Sequence, residues 1–193
     1  MLEKLHERRI FLASQSPRRH YLLKQLGLEF TVINGEAEED FPEGMSPEKI
    51  AVYLAEKKAD HFAYCINDPR DILITADTIV SIAGQILGKP IDRQDAERMM
   101  RLLSDNTHTV FTGVCLRSPG KNITFCARTE VTFKSLNDDE IRYYLDNYKP
   151  FDKAGAYGAQ EWIGYIAITR IDGSYFNVMG LPIQQLYEEL LRF

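Results

Sequence analysis

The order of apolar and polar residues along the chain predicts alternating strands and helices. Short apolar runs at residues 9–14 and 29–34 have the length and β-branched content of buried strands. Between them, residues 17–27 carry leucines at helical spacing and a proline in the first helical position. Ser16 is placed to cap this helix and Gly27 to end it.

A second, longer helix is predicted from Pro47 to near Cys65, again directly after a serine that can cap it. On a helical wheel its apolar residues form one stripe: Ile50, Ala51, Leu54, Ala55, Ala59 and Phe62. Lys58 falls near the centre of this stripe. Either its stem packs there while the ammonium reaches water, or the lysine has a function.

The middle of the chain predicts an apolar strand, then Asp77 and Thr78, then a strand pair that turns at Ala83 and Gly84. Asp77 therefore falls at the expected end of a buried strand. Ligands of open α/β sheets collect at the carboxyl ends of strands, so this carboxylate suits metal binding or water activation. The alternative is an aspartate that serves only a turn or a cap.

The remaining pattern predicts a helix at 92–104, followed by two β-rich runs around a turn at 119–122. A further helix begins at the capping-box pair Asn137 and Glu140, and a last helix begins at Pro182. Strands and helices alternate, and long antiparallel strands lie in the middle. The predicted fold class is therefore α/β with a mixed, twisted sheet and flanking helices. A length of 193 residues suits a single domain, or two closely joined lobes, over the whole chain.

Composition narrows the range of partners. The net charge of -5 argues against binding to nucleic acid polymers or to anionic membranes, but it allows a small polyanion in a local basic pocket. The three cysteines show no zinc spacing and suit a reducing compartment. The first residues are too charged for a signal peptide, and no apolar run approaches the roughly 18 residues of a membrane span. A cytoplasmic location is expected.

Two adjacent arginines, Arg18 and Arg19, occupy the first turn of the first helix, where the helix dipole disfavours positive charge. A bound anion would offset that cost. The amides at the helix start, the hydroxyls of Ser14 and Ser16 and two guanidinium groups would together bind a phosphate chain. The alternative is that both arginines extend into solvent at a small energetic cost.

Other candidates are weaker by themselves. The acidic loop contains Glu36, Glu38, Glu39 and Asp40, and it is either a solvated turn or the source of a second metal ligand beside Asp77. Lys89 reads as an exposed turn lysine, and the glycines and alanines of residues 153–160 allow close approach to a ligand or simple packing. The chain has no nucleophile elbow, Walker A loop or Rossmann fingerprint, and its histidines show no metal spacing.

Six ordered blocks resemble the Maf family of nucleoside triphosphate pyrophosphatases: LASQSPRR, LAEKKA, ADTIV, LGKP, FDKAGAYGAQ and GSYFNVMGLP. They extend from residue 12 to residue 182, and they are most similar to the subgroup that acts on dTTP and UTP. The resemblance implies a fold related to the inosine triphosphate pyrophosphatases, with two lobes around a cleft. It also implies hydrolysis of a nucleoside triphosphate to monophosphate and pyrophosphate with a divalent metal, Mg or Mn.

The same resemblance implies roles for particular residues. Asp77 would be the general base, with Glu39 as a further metal ligand. Phosphates would be held by Ser14, Arg18, Arg19, Lys58 and Lys89, and substrate preference would depend on Arg18, Thr78 and Gln160. The resemblance leaves a homodimer open.

Three departures from the family pattern bear on substrate preference. Lys149 stands where the family usually has Glu, Ala159 replaces a larger aliphatic residue, and Glu161 with Trp162 replaces a glycine. Trp162 is close enough to Gln160 in sequence to suggest stacking on a base. Other interpretations are the same chemistry on 7-methyl-GTP, a nucleotide-binding regulator of septum formation without catalysis, and a structural α/β domain without a small ligand.

Overall fold

A computed structural model describes residues 5–193 and contains seven strands and seven α-helices in that range. The strands are Arg9–Ala13 (β1), Phe30–Ile33 (β2), Asp71–Ile82 (β3), Gln85–Leu87 (β4), Thr107–Ser118 (β5), Lys121–Phe133 (β6) and Ile168–Asp172 (β7). The helices are Pro17–Lys24 (α1), Pro47–His61 (α2), Arg93–Leu103 (α3), Asp138–Tyr148 (α4), Trp162–Ala167 (α5), Tyr175–Val178 (α6) and Ile183–Arg192 (α7). Short 3₁₀ turns follow at Ala63–Cys65 and Ala154–Ala156.

The seven strands form one mixed sheet in the order β2-β1-β3-β5-β6-β7, with β4 paired to β3. Strand β1 is parallel to both β2 and β3, whereas β4 is antiparallel to β3 and β7 is antiparallel to β6. The parallel pairs are connected through helices. A tight turn joins β3 to β4, whereas β6 continues to β7 through α4 and α5. The predicted α/β class with a mixed sheet is confirmed.

The chain divides into two compact units, each built from separate segments. Unit 1 comprises the described residues up to Asp77 together with Thr112–Ala127 and Gly180–Phe193. Unit 2 comprises Thr78–Phe111 and Arg128–Met179. The two units match the predicted number of lobes, and the cleft stays a prediction.

Several predicted element boundaries are confirmed by the caps that form. Ser16 and Ser46 each accept a hydrogen bond from the backbone three residues further on, at the starts of α1 and α2. Asn137 and Glu140 form the reciprocal capping box of α4. Helix α1 nevertheless ends at Lys24 rather than at Gly27, because residues 25–27 close a tighter turn with bonds to the preceding carbonyls.

The prediction that Asp77 ends a strand is wrong. Strand β3 runs without a break from Asp71 to Ile82, so Asp77 lies inside it. The β-branched residues after Asp77 continue the strand and pair with β4, beginning with Val80 opposite Leu87. The parallel ladder to β1 has its last pair at Leu12 and Ile74. Asp77 therefore lies beyond the paired part of β1, near the carboxyl edge of the parallel strands.

Helix α2 packs very closely on β5 within unit 1. A Cβ atom added to Gly113 would lie 2.2 Å from the carbonyl oxygen of Ala51 and 2.5 Å from the amide nitrogen of Val52. Both neighbours are backbone atoms, which cannot move aside by changing rotamer. Glycine at 113 therefore sets the distance between the strand and the helix.

We predict that Gly113→Ala lowers the free energy of unfolding by about 2 kcal/mol or more, because the added methyl group must push α2 away from β5. Urea denaturation measures the change. Gly88→Ala is the matched control, since its added Cβ would have no heavy atom within 4 Å. Equal stability of the two variants would contradict the close-packing argument.

Candidate active site

The centre of the site in unit 1 is the ammonium group of Lys58. It donates a short hydrogen bond to Asp77 Oδ1 and another, of 2.9 Å, to Glu39 Oε1. The side chains of Lys58 and Asp77 are only 13% and 11% exposed. The ammonium of Lys58 is thus held by two carboxylates instead of extending into water, and the functional interpretation of this lysine is favoured over the packing one.

The sequence of α2 explains why Lys58 faces inward. All six apolar residues of the predicted stripe are buried, and three of them belong to a core cluster with Leu73 of β3. The Thr75 hydroxyl donates a hydrogen bond of 2.6 Å to the carbonyl of Ala55 and so ties β3 to α2. Thr75 is two residues before Asp77 on the same strand face, and Ala55 is about one helical turn before Lys58. This bond therefore fixes the register that brings Lys58 to Asp77.

The arginines at the start of α1 do not extend into solvent together. Arg19 Nε donates to the carbonyl of Gly180 at 2.8 Å, and its Nη1 lies 3.5 Å from Ser14 Oγ. Burial lowers the pKa of the Arg19 guanidinium, the negative charges of Asp77 and Glu39 oppose that shift, and Arg18 adds to it.

These electrostatic effects indicate that Arg18, Glu39 and Asp77 lie close to Arg19. The structure brings together six predicted site residues: Ser14, Arg18, Arg19, Glu39, Lys58 and Asp77. Three cations near the start of a helix, with only two carboxylates, make a region that attracts a further anion. A bound anion there would offset the cost of basic residues at the start of α1.

Glu39 and Asp77 also fit the divalent metal that the resemblance implies. One oxygen of each carboxylate lies within hydrogen-bond distance of the same Lys58 nitrogen, so the two groups can converge on one cation. Within residues 5–193 no group of three or more His, Cys, Asp or Glu side chains is placed to hold a metal. A hard cation held here would take its other oxygen ligands from a phosphate chain and water.

The other three predicted site residues belong to unit 2. The antiparallel pairing of β3 with β4 extends to Val80 and Leu87. Thr78 lies in β3, two residues before Val80, and Lys89 lies two residues after the end of β4. The amide of Gly155 donates to the carbonyl of Gly88 at 3.1 Å, which fixes the turn that carries Lys89.

Gln160 ends the small-residue segment of unit 2. Its Oε1 atom is buried and has no hydrogen-bond partner among the described residues. A buried amide oxygen without a partner costs free energy, which makes it a candidate acceptor for a ligand. The neighbouring Trp162 ring packs against Tyr143, with the ring centroids 4.7 Å apart. Stacking of Trp162 on a base stays a prediction.

Some supporting residues had no signal in the sequence pattern. His20 Nε2 lies 2.6 Å from the carbonyl oxygen of Ser14, so it supports the segment before α1, although the spacing of the histidines indicates no role for it. Lys153, Glu161 and Tyr144 form a buried polar group next to Gln160. Contacts between residues so far apart in sequence leave no periodic signal, and only the folded chain shows them.

The class of this protein follows from three features: a sheet with parallel strands, a helix that begins with cations, and two carboxylates around a lysine. They are typical of an α/β protein that binds phosphate. The model of the Maf-like protein family matches residues 9–193, and the chain therefore belongs to this family.

Curated relatives are similar over nearly their whole length. A dTTP/UTP pyrophosphatase of Porphyromonas gingivalis (strain ATCC 33277) is 50% identical over 100% of this chain and 98% of its own length. The dTTP/UTP pyrophosphatase of Parabacteroides distasonis is 47% identical over 100% of both chains. That of Flavobacterium psychrophilum is 48% identical over 98% of this chain and 96% of its own.

None of the helices described in residues 5–193 has the length and apolar character needed to cross a membrane.

We predict that Lys58→Met lowers the free energy of unfolding by about 1 to 3 kcal/mol, because Asp77 and Glu39 then lie close together without their shared cation. Thermal and urea denaturation measure the loss. Lys57→Met is the matched control on the same helix, since Lys57 pairs with the largely exposed Asp40 and should leave the melting temperature unchanged. A similar result for both lysines would contradict the central role of the Lys58 pair.

Proposed function

We propose that this protein hydrolyses nucleoside triphosphates, with dTTP and UTP preferred, to the nucleoside monophosphate and pyrophosphate. The observation that carries the proposal is the largely buried contact of Lys58 with Asp77, together with its contact to the half-exposed Glu39, beside Arg19. Cations that bind phosphate and a carboxylate that activates water are the parts that phosphate-anhydride hydrolysis needs. The names of the relatives support the substrate class.

The cations of unit 1 bind and polarise the triphosphate. Arg19 is fixed by the Gly180 carbonyl and so presents its remaining N–H groups in one orientation. Arg18 and Ser14 lie at the same helix start, and Lys58 reaches from α2. Neutralising the phosphate oxygens lowers the barrier because charge spreads over them in the transition state.

Asp77 acts as the general base. It removes a proton from water, and the water oxygen forms a bond to the α-phosphorus. The bond from that phosphorus to the oxygen bridging to the β-phosphate breaks, and pyrophosphate leaves with the bridging oxygen. Lys58, bonded to Asp77 Oδ1, fixes the orientation of the carboxylate during this step.

A divalent cation, Mg or Mn, would be held by Glu39 and Asp77, whose oxygens converge on one point. When bound, it would neutralise charge on the phosphate oxygens and help to orient the triphosphate of the substrate. In unit 2, Lys89 adds a further phosphate contact, while Thr78 and Gln160 contribute to recognition of the base. We also propose that the reaction takes place in the cytoplasm, which the three free cysteines support.

The proposal predicts pyrophosphate release from dTTP and UTP in a panel that also contains CTP, 7-methyl-GTP and inosine triphosphate. With Mg or Mn, the wild-type protein should release pyrophosphate fastest from dTTP and UTP, and EDTA should abolish release. Asp77→Asn should lower kcat by about 10² or more with the fold retained, since the proton acceptor is lost. A coupled pyrophosphate assay with a thermal melt of each variant measures both.

Full activity of Asp77→Asn would contradict the general-base assignment. Fastest release from 7-methyl-GTP would keep the chemistry and overturn the substrate preference. Tight binding of triphosphates without any release would favour the regulator of septum formation instead.

Lys58→Met provides a second test of the same site. We predict that kcat/KM for UTP falls by about 10² or more, because a desolvated cation on the transition-state charge is lost. Lys57→Met should retain wild-type kcat/KM, since its ammonium pairs with the exposed side chains of Asp40 and Glu38. Unchanged kcat/KM in Lys58→Met would remove Lys58 from the reaction.

A further inference from the structure

Glu161, the residue directly after Gln160, is unusual because its acidic side chain is mostly buried. Only 18% of the Glu161 side chain is exposed. Its Oε1 lies 3.0 Å from Lys153 Nζ, and its Oε2 accepts a short hydrogen bond from the Tyr144 hydroxyl. Two partners therefore fix both oxygens of the carboxylate.

Both partners of Glu161 are themselves buried and held. The Lys153 side chain is 9% exposed, and its second contact is Asp152 Oδ1 at 2.7 Å. Tyr144 is fully buried, and its hydroxyl oxygen accepts from the Gly158 amide at 3.0 Å. The pKa of Tyr144 is raised far above its usual range by burial and by its bond to Glu161, so the hydroxyl keeps its proton and donates it to that carboxylate.

The Glu161 carboxylate also lies near the amide group of Gln160. A Cβ atom added to Gly158 would be 2.9 Å from Glu161 Oε2 and 3.0 Å from Gln160 Nε2, so these two atoms are within about 6 Å of each other. A negative charge at that distance favours the amide orientation that turns the NH₂ group towards it. The opposite end of the amide, Oε1, is the buried atom without a partner among the described residues.

The orientation of the Gln160 amide determines with which pyrimidine base it can form a hydrogen bond. The N3 atom of uracil or thymine carries a hydrogen and needs an acceptor, whereas N3 of cytosine has a lone pair and needs a donor. A glutamine that turns freely by 180° offers either group and cannot discriminate between them. A fixed Oε1 accepts from N3–H and leaves cytosine without a donor at the same place.

We propose that Glu161 is a positioning residue for base selection, whose carboxylate, held by Lys153 and Tyr144, orients the Gln160 amide so that Oε1 accepts from N3–H of uracil or thymine. This inference rests on the proposed function, because it assigns base recognition to Gln160. It also gives a role to the Glu161 departure from the family pattern. The side chain acts through Gln160 and does not touch the reacting phosphates.

The test compares UTP with CTP in wild type and in Glu161→Gln. One amide oxygen cannot serve Lys153 and Tyr144 as two carboxylate oxygens do, and the negative charge is lost. We expect the ratio of kcat/KM for UTP to kcat/KM for CTP to fall by roughly tenfold or more. Calorimetry with the α,β-methylene analogues of UTP and CTP should show the same fall in the ratio of Kd values, without requiring turnover.

Glu140→Gln is the matched control in unit 2. Glu140 is also a partly buried carboxylate with two partners. Its Oε1 lies 2.7 Å from Lys134 Nζ, and its Oε2 accepts a hydrogen bond of 3.0 Å from the backbone amide of Asn137. Its loss should lower the melting temperature without changing the UTP to CTP ratio. Tyr144→Phe is a second variant, which keeps the Lys153 contact but frees one carboxylate oxygen, and it should lower the ratio by a smaller factor.

The outcomes separate this inference from the proposed function. Selective analogue binding that Glu161→Gln and Tyr144→Phe reduce, without pyrophosphate release by wild type, supports the inference and contradicts the proposed function. Release with an unchanged UTP to CTP ratio in folded Glu161→Gln overturns the inference alone. If Glu161→Gln does not fold, an unchanged ratio in Tyr144→Phe overturns it. Wild-type protein without preference between UTP and CTP in either assay also overturns it.

Discussion

The contact of Lys58 with Asp77 and Glu39 is the interaction on which the rest of the site depends. The ammonium of Lys58 and the carboxylate of Asp77 have little exposure, whereas 47% of the Glu39 side chain is exposed. Charges as buried as those of Lys58 and Asp77 are stable only when they compensate each other. Such a group costs more than apolar packing would, so its presence on a helix with an otherwise apolar stripe calls for a functional explanation. The triphosphate and the metal of the proposed function would supply one, since the same oxygens and the same ammonium can bind them.

The fold places this group through backbone contacts that allow little adjustment. Gly113 brings β5 against the backbone of α2, and the Thr75 hydroxyl binds the Ala55 carbonyl. Strand β3 continues through Asp77, past the paired part of β1, so the carboxylate projects from a rigid element rather than from a loop. Catalytic groups on strands and helices are held more precisely than groups on loops. In unit 2, the polar group around Glu161 gives Gln160 a comparable support.

Much of this was predictable from the sequence because it is local. The serine caps, the apolar stripe of α2 with Lys58 at its centre and the capping box of α4 follow from residues within a few positions of each other. The sequence singles out Lys58 and Asp77 separately, because each breaks its local pattern, and it does not predict that they pair. The length of β3 was mispredicted because an aspartate inside a strand looks like a strand end until β4 is seen to pair with Val80. The contacts of Glu161 with Lys153 and Tyr144, and of His20 with Ser14, join side chains without any shared periodicity.

The most direct test of the central claim is a double-mutant cycle of Lys58→Met and Asp77→Asn, with kcat/KM for UTP measured in all four proteins. If the two side chains act as one unit, the double variant is about as slow as the slower single variant, because the second substitution removes an interaction that is already lost. If the logarithmic losses of the two single variants simply add in the double variant, Lys58 and Asp77 act independently, and their pairing is not the basis of the activity.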